Sequence, residues 1–291
     1  MLTILEAVNS AAEYLNKKNI KSARLNAELL LAHVLNLKRM QLYLSYDTPL
    51  KKNEIDLYRE LLLRRSKFEP LQYIIGKVEF YGLELEVNSS VLIPRPETEL
   101  LVEEIINSYP KDQEINILEV GCGSGNISIA LASNFTNSKI IAIDISESAV
   151  ELSNKNARLN CVAEKISFIK EDIFNDLSEN FSNFDIIVSN PPYVSSEDYN
   201  KLEPELRLYE PQIALTDGSD GLTFYKRISE QSKFLLKQKG KIFFEIGFGQ
   251  SDAVKKILAQ RGFENIKIKK DYSGIESSCT KSIFWKRNNK K

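Results

Sequence analysis

Asn190-Pro191-Pro192-Tyr193 follows directly on the apolar run Phe184-Asp185-Ile186-Ile187-Val188-Ser189, and its residue types suit one chemical task. Neither proline has an N–H, so the chain cannot extend a strand ladder there. It must leave the sheet stiff and extended, with φ held near about −65°. In that form the Pro191 carbonyl faces outward with no neighbouring amide to claim it. Asn190 adds a side-chain carbonyl oxygen, and Tyr193 adds an aromatic face. Two acceptors and a π surface at a strand's carboxyl end form a receptor for a planar –NH2 group. A Pro-Pro turn capped by Asn is the plainer reading of the same residues, and the rest of the chain has to decide between them.

A second group of residues lies upstream. The run 115–121 leads into Gly121-Cys122-Gly123-Ser124-Gly125, and a helical pattern begins near Asn126. Glycines there permit a tight turn and let a ligand lie against bare backbone. A dinucleotide fingerprint would carry Gly at the sixth position; with Asn126 there the pattern is G-x-G-x-G. Asp144 ends the next strand-like run, 19 residues past Gly125 (144 − 125). A carboxylate there can accept hydrogen bonds from two ribose hydroxyls. Its other reading is an N-terminal cap for the following helix, which Ser146 could also supply. Asp172 closes a third run in K-E-D-I-F and fits recognition of an exocyclic adenine amine, with Ile173 packing on the ring; a solvated strand-end acid is the alternative. Glu119, inside the first strand, is costly to bury unpaired and points to a polar role toward a ligand's amino group.

The elements that must hold these residues are legible as a change of period. Residues 1 to about 70 read as helices: Leu5, Val8, Ala12 and Leu15 fall at helical spacing, as do Leu29, Leu30, His33, Val34 and Leu37. Ser22 is a candidate cap for the second helix, and Asp47, Pro49 and Leu50 mark a break before a run over 54–67. His33, the one histidine, is expected as a core or interface imidazole, and a lone His cannot build a metal site. VEFYGLELEVN (78–88) reads as a hairpin turning at Gly82. Pro94 and Pro96 hold an extended loop, and a helix starts near Glu97. Strand-like runs then fall at 115–121, 139–145, 166–172, 184–190 and 240–247. Two better-alternating runs follow at 265–271 and 281–287, in the manner of an antiparallel edge pair. Helical patterns occupy 124–134, 146–160, 222–238 and 251–261. This order implies an α/β fold, a doubly wound sheet with helices on both faces, in which ligands bind beyond the strands' carboxyl ends. The expected domains are a helical domain over 1–75, a hairpin connector over 76–90 and a catalytic domain over 91–291. The terminal KRNNKK reads as a solvated tail.

Composition narrows the classes. Hydrophobic content of 43% and charged content of 27% in 291 residues are those of an ordinary globular protein. Lys+Arg of 39 against Asp+Glu of 40 leaves a net charge of −1, which disfavours bulk nucleic-acid binding. The basic positions within 1–70 read as solvated helix faces. Cys122, Cys161 and Cys279 are odd in number and widely spaced, as free thiols in a reducing compartment would be, and no metal-ligand spacing is visible. No targeting pattern opens the chain and no apolar run reaches the roughly 18 residues needed to span a bilayer. A cytoplasmic protein with no metal is expected.

From about residue 90 to 287, the motif order resembles the class I S-adenosylmethionine-dependent methyltransferases. That resemblance implies a seven-stranded, mostly parallel sheet with its last strand inserted antiparallel. It also implies S-adenosylmethionine over the glycine loop, leaving as S-adenosylhomocysteine, with Asp144 on the ribose and Asp172 near the adenine. N-P-P-Y then has a chemical meaning: Asn190 Oδ1 and a proline carbonyl each accept one N–H of an amide or aromatic amine, and Tyr193 clamps the planar group. N-P-P-Y occurs among methyltransferases acting on adenine N6 and on glutamine amides. Four longer segments are similar to one family: A-R-L-N-A-E-L-L-L-A-H-V-L (23–35), P-L-Q-Y-I-I-G-K-V-E-F-Y-G (70–82), V-L-I-P-R-P-E-T-E (91–99) and E-P-Q-I-A-L-T-D-G-S-D-G-L (210–222). That family is the peptide chain release factor glutamine N5-methyltransferases, of HemK type. The resemblance implies a class 1 release factor as protein substrate, at the glutamine of its Gly-Gly-Gln motif, docked with help from the helical domain. R-P-E-T-E at 95–99 favours this family over its paralogue acting on a ribosomal protein. One departure is Ser277, in D-Y-S-G-I-E-S-S-C-T-K (271–281), where the family often carries Arg. The rival readings are an adenine-N6 methyltransferase, which would want a basic stripe, and a non-catalytic binding module, which would want a broken glycine loop.

Overall fold

The computed structural model describes residues 2–269 and, for the backbone alone, 281–287. The expectations for Ser277, Cys279 and the tail 288–291 fall outside the described residues. The chain divides into two compact units, Met1–Lys77 with Glu203–Tyr209, and Val78–Leu202 with Glu210–Lys291.

The first unit holds α1 (Ile4–Lys17), α2 (Ala23–Leu35), α3 (Arg39–Tyr43), α4 (Lys52–Arg65) and α5 (Leu71–Ile75). α1 starts at a capping box: Thr3 Oγ1 accepts the Glu6 N–H at 3.3 Å and Glu6 Oε2 accepts the Thr3 N–H at 2.9 Å. Its Ile4, Val8, Ala11 and Leu15 recur every three or four residues and pack with Leu30, Leu31, Tyr58 and Leu61 in one apolar core. Two sequence expectations are corrected here. Ser22 takes a left-handed backbone (φ 52) and makes no side-chain cap; Asn26 Nδ2 bonds its carbonyl instead. His33, expected as a core or interface imidazole, is exposed on α2 and so does not join the core.

The hairpin β1 (Lys77–Phe80) and β2 (Leu83–Glu86) starts at the boundary and belongs, from Val78 on, to the second unit. Then come α6 (Pro96–Asn107), β3 (Ile115–Val120), α7 (Asn126–Asn134), β4 (Ser138–Asp144), α8 (Glu147–Leu159), β5 (Ile166–Lys170) and β6 (Phe184–Ser189). Three short helices follow: α9 (Ser196–Tyr199), α10 (Pro204–Tyr209), which belongs to the first unit, and α11 (Gln212–Leu215). The chain ends through α12 (Thr223–Leu235), β7 (Leu236–Ile246), α13 (Ser251–Gln260), β8 (Phe263–Lys269) and β9 (Lys281–Arg287).

The seven-stranded sheet has the order β5-β4-β3-β6-β7-β9-β8. The first five strands in that order run parallel, and β9 is antiparallel to both its neighbours. Alternation along each strand feeds two cores. Ile117, Ile186 and Val188 join Leu101, Ile127 and Leu131 on one face, while Leu118, Ile187 and Phe244 join Tyr225, Ile228 and Val254 on the other. The strand order reverses between β3 and β6, so a crevice opens beyond their carboxyl ends. Both motifs fall there. The helical pattern over 222–238 ends early, at Leu235, because Leu236 is already extended (φ −80, ψ 140) and pairs with Phe184. The pairing then slips, Ile186 meeting Lys241, so K-Q-K-G is a bulge within β7. Among the described residues no helix is long and apolar enough to cross a membrane.

Candidate active site

A cavity of about 300 Å³ occupies the crevice, lined by Gly121, Cys122, Gly123, Ser124, Asp144, Asp172, Ile173, Asn190, Pro191 and Pro192 among others. It falls in the size range of small-molecule sites. Thr98, Arg95, Pro94, Phe174, Phe224 and Ile213 complete its walls. All belong to the second unit.

Gly121 and Gly123 have φ of +77 and +54, and a Cβ built on either meets no atom within 4 Å. Their bare backbone faces open space, as a cradle for a ligand requires. Gly125 differs: a Cβ there would come within 3.0 Å of Ile129 Cδ1 and 3.2 Å of Ser153 Cβ. It serves helix packing and does not line the cavity. Asp144 bridges two segments, Oδ2 accepting the Gly123 N–H and Oδ1 the Ser146 N–H, each at 2.9 Å. The helix cap is Ser146, whose hydroxyl accepts from the Ala149 N–H at 3.3 Å. A carboxylate has about four lone-pair positions, so Asp144 retains two for a diol. Asp172 Oδ1 turns back to the Phe174 N–H at 2.9 Å, leaving its second oxygen for an amine. Ile173 and the edge-to-face pair Phe174–Phe224, 5.4 Å apart, give that end apolar walls. Cys122 is buried, and burial holds its thiol well above the ordinary value, so it is a packing group rather than a nucleophile.

Besides Gly125, two of the expected residues are not at the cavity wall. Glu119 is sealed beneath the glycine loop, where Oε2 accepts both the N–H and the hydroxyl of Ser128 and so fixes the start of α7. Its Oε1 has no partner among the described residues, and burial pushes the carboxyl up to about 8. Tyr193 turns inward as well. Its hydroxyl is 3.4 Å from Glu245 Oε1, and its carbonyl is held at 2.8 Å by Gln250 Nε2, so its ring packs in the core instead of clamping a ligand.

Asn190 does face the cavity, and its amide is oriented. Nδ2 donates to Thr98 Oγ1 at 3.2 Å, and Thr98 in turn donates to Glu245 Oε2 at 2.7 Å. That leaves Oδ1 for a ligand. Among the described residues no hydrogen bond reaches the Pro191 carbonyl. Arg95 is paired with the buried Glu210, which also accepts the Ile93 N–H, so this ion pair joins the segments on either side of the site. Sequence reasoning missed Thr98, Glu245 and Glu210 as a set. Glu245 carried the same signal as Glu119, an acid within an apolar strand.

This strand order, with the antiparallel β9 inserted between β7 and the edge strand β8, places the chain among the class I S-adenosylmethionine-dependent methyltransferases. S-adenosylmethionine is the cofactor, and the residues present fit it: open backbone at Gly121 and Gly123, a free acceptor pair on Asp144, and an acidic rim of Asp144, Glu171 and Asp172 for a cationic ligand. Comparison with known proteins narrows the class. Residues 6–76 match the model of the PrmC N-terminal domain, and residues 111–245 match a methyltransferase domain. A release factor glutamine methyltransferase of Fusobacterium nucleatum is 43% identical over 93% of this chain and 76% of its own length. One from Geobacter sulfurreducens is 38% identical over 94% of both. The hMettl16 catalytic domain, 17% identical, superposes with a TM-score of 0.56 over 82% of this chain and 83% of its own, which speaks to fold alone. The chain belongs to the release factor glutamine methyltransferase family.

Proposed function

We propose that this enzyme transfers a methyl group to the side-chain nitrogen, N5, of the glutamine in the Gly-Gly-Gln motif of class 1 peptide chain release factors. The observation that carries the reading is the fixed polarity of Asn190. Its nitrogen end is engaged by Thr98, and its oxygen remains for the cavity beside the Pro191 carbonyl. A primary carboxamide presents two N–H groups, and two acceptors match them. The names of the relatives supply the class of protein substrate.

S-adenosylmethionine, when bound, supplies a methyl group made electrophilic by its sulfonium. The protein's task is the weak nucleophile, because an amide nitrogen shares its lone pair with the carbonyl. Asn190 Oδ1 and the Pro191 oxygen each accept one N–H, which raises electron density on nitrogen and favours the positive charge developing there. Both acceptors are held before substrate arrives, Asn190 by Thr98 and Pro191 by its ring, so little reorganisation is needed. No base has to act before attack, since the amide proton is acidic once nitrogen is cationic and departs to water. Asp144 holds the ribose, Asp172 and Ile173 the adenine, and Gly121 to Ser124 the remainder of the cofactor.

In the same reading the helical domain, 1–75, docks the release factor, 76–90 connects, 91–291 catalyses, and the enzyme works in the cytoplasm. The near-neutral charge supports a protein substrate over nucleic acid. Radiolabelled methyl transfer to a purified class 1 release factor, ribosomes and nucleic acid in parallel tests the proposal. Label on the release factor alone, lost when the Gly-Gly-Gln glutamine is replaced by alanine, is expected; label on ribosomes or nucleic acid instead would overturn it.

A further inference from the structure

We propose that Thr98 and Glu245 are positioning residues that decide which end of the Asn190 carboxamide faces the cavity. This rests on the reading of Asn190 as the acceptor for the substrate amide. The two ends of a carboxamide are nearly equal in size and opposite in hydrogen-bonding sense. With oxygen toward the cavity the site receives an –NH2 group; with nitrogen there it repels one. Something has to choose.

The choice is made by a directed chain of hydrogen bonds. Thr98 has one hydroxyl proton, and it goes to Glu245 Oε2 at 2.7 Å. The Thr98 oxygen is then purely an acceptor toward Asn190, whose Nδ2 lies 3.2 Å away. The Tyr193 hydroxyl lies 3.4 Å from the other oxygen of the Glu245 carboxylate. Glu245 is 2% exposed, flanked along its strand by Phe243, Phe244 and Ile246, and no cation pairs with it among the described residues. Desolvating an acid there is costly, and the bonds it receives all converge on the N-P-P-Y turn or on Thr98.

The chain reverses when Glu245 takes up a proton. A protonated carboxyl donates to Thr98, which frees the Thr98 proton for the Asn190 oxygen and turns the amide nitrogen toward the cavity. Burial first, and the nearby Glu97 carboxylate, push Glu245 up to about 7 against the hydrogen bonds from Thr98, Tyr193 and Asn190. The other groups around it are Arg95 and Glu97 of the α6 start, Tyr193, and Tyr225, whose hydroxyl donates to the Glu245 carbonyl at 2.9 Å. Both tyrosines are held above their ordinary value by burial, so near neutrality the proton on Glu245 is the one that changes.

The test pairs wild type with Thr98→Val, Thr98→Ser and Glu245→Gln in the full chain. The side-chain ¹⁵N amide resonances of Asn190, assigned by their loss in Asn190→Asp, report the chain without turnover. They should titrate with a midpoint near about 7 in wild type, stop titrating in Thr98→Val and Glu245→Gln, and return in Thr98→Ser. The kcat for methyl transfer should fall roughly 10- to 100-fold in Thr98→Val, the size seen for partners one step behind a contact group. KM and cofactor Kd should hold, and Thr98→Ser should restore the rate. Unaltered Asn190 resonances in Thr98→Val, or a kcat within about twofold of wild type, would overturn the proposal. Resonances that behave as expected in an enzyme that leaves release factors unmodified would uphold it and instead remove the proposed substrate.

Discussion

The Gly123 N–H donates to Asp144 Oδ2 at 2.9 Å, tying the middle glycine of the loop after β3 to the last residue of β4. One carboxylate thus shapes the loop proposed to cradle the cofactor while keeping lone pairs for the ribose hydroxyls of the proposed reading. Each oxygen accepts one backbone N–H, Oδ2 from Gly123 and Oδ1 from Ser146, and keeps a further lone pair.

On the proposed reading Asp144→Ala removes hydrogen bonds that the ligand donates to a charged acceptor, each worth about 1.5–3 kcal/mol, or roughly 10- to 100-fold in affinity. Calorimetry should give a cofactor Kd raised at least by that factor, with a smaller loss of kcat at saturation. An unchanged Kd would remove Asp144 from the site.

Two glycines should fail in different ways. Gly123→Ala adds a methyl toward the cavity, where no protein atom lies within 4 Å, at a backbone cost of roughly 1–2 kcal/mol for the positive φ. Cofactor affinity should suffer more than Tm. At Gly221 a Cβ would lie 2.3 Å from the Tyr193 carbonyl oxygen. Gly221→Ala should therefore lower Tm by several degrees and displace the N-P-P-Y turn. Calorimetry and thermal melts on both variants check this, and the reverse order of effects would contradict it.

Glu119 links stability to pH. Burial raises its carboxyl to about 8, with Asp144 adding to the rise and the Ser128 bonds opposing it, whereas an unfolded Glu titrates near about 4.3. The native state thus holds this proton more tightly. Its contribution is full below the unfolded value and is lost as pH rises through about 8. Melting curves of Glu119→Gln and wild type between about pH 5 and pH 9 should show the Tm difference moving in favour of the variant as pH rises. A constant difference would mean that the folded protein holds the Glu119 proton no more tightly than the unfolded chain does.

The strands of the main sheet were legible because five of them are short apolar runs, the central ones buried on both faces, and their order carries the topology. Asp144, Asp172 and Asn190 were legible for a related reason, since each ends a strand or lies just past the end of one, and strand ends converge in such a sheet. Local spacing failed where a tertiary partner decides. Tyr193 is drawn inward by Glu245 and Gln250, which are far along the chain. Thr98 and Glu245 are 147 residues apart, so no motif joins them. The short helices α9 to α11 lie in what reads as a loop, each being about one turn or slightly more. Ser22 has the composition of a cap, yet its left-handed backbone turns the hydroxyl away from the helix.

The central claim is that Asn190 Oδ1 holds the hydrogens of the substrate amide, and Asn190→Ala measures it most directly. Single-turnover methyl transfer to a class 1 release factor, with cofactor Kd measured in parallel, should show a rate lower by roughly 100- to 1,000-fold, as for loss of one preorganised partner, and a Kd close to that of wild type. Transfer at a near-normal rate would contradict the account.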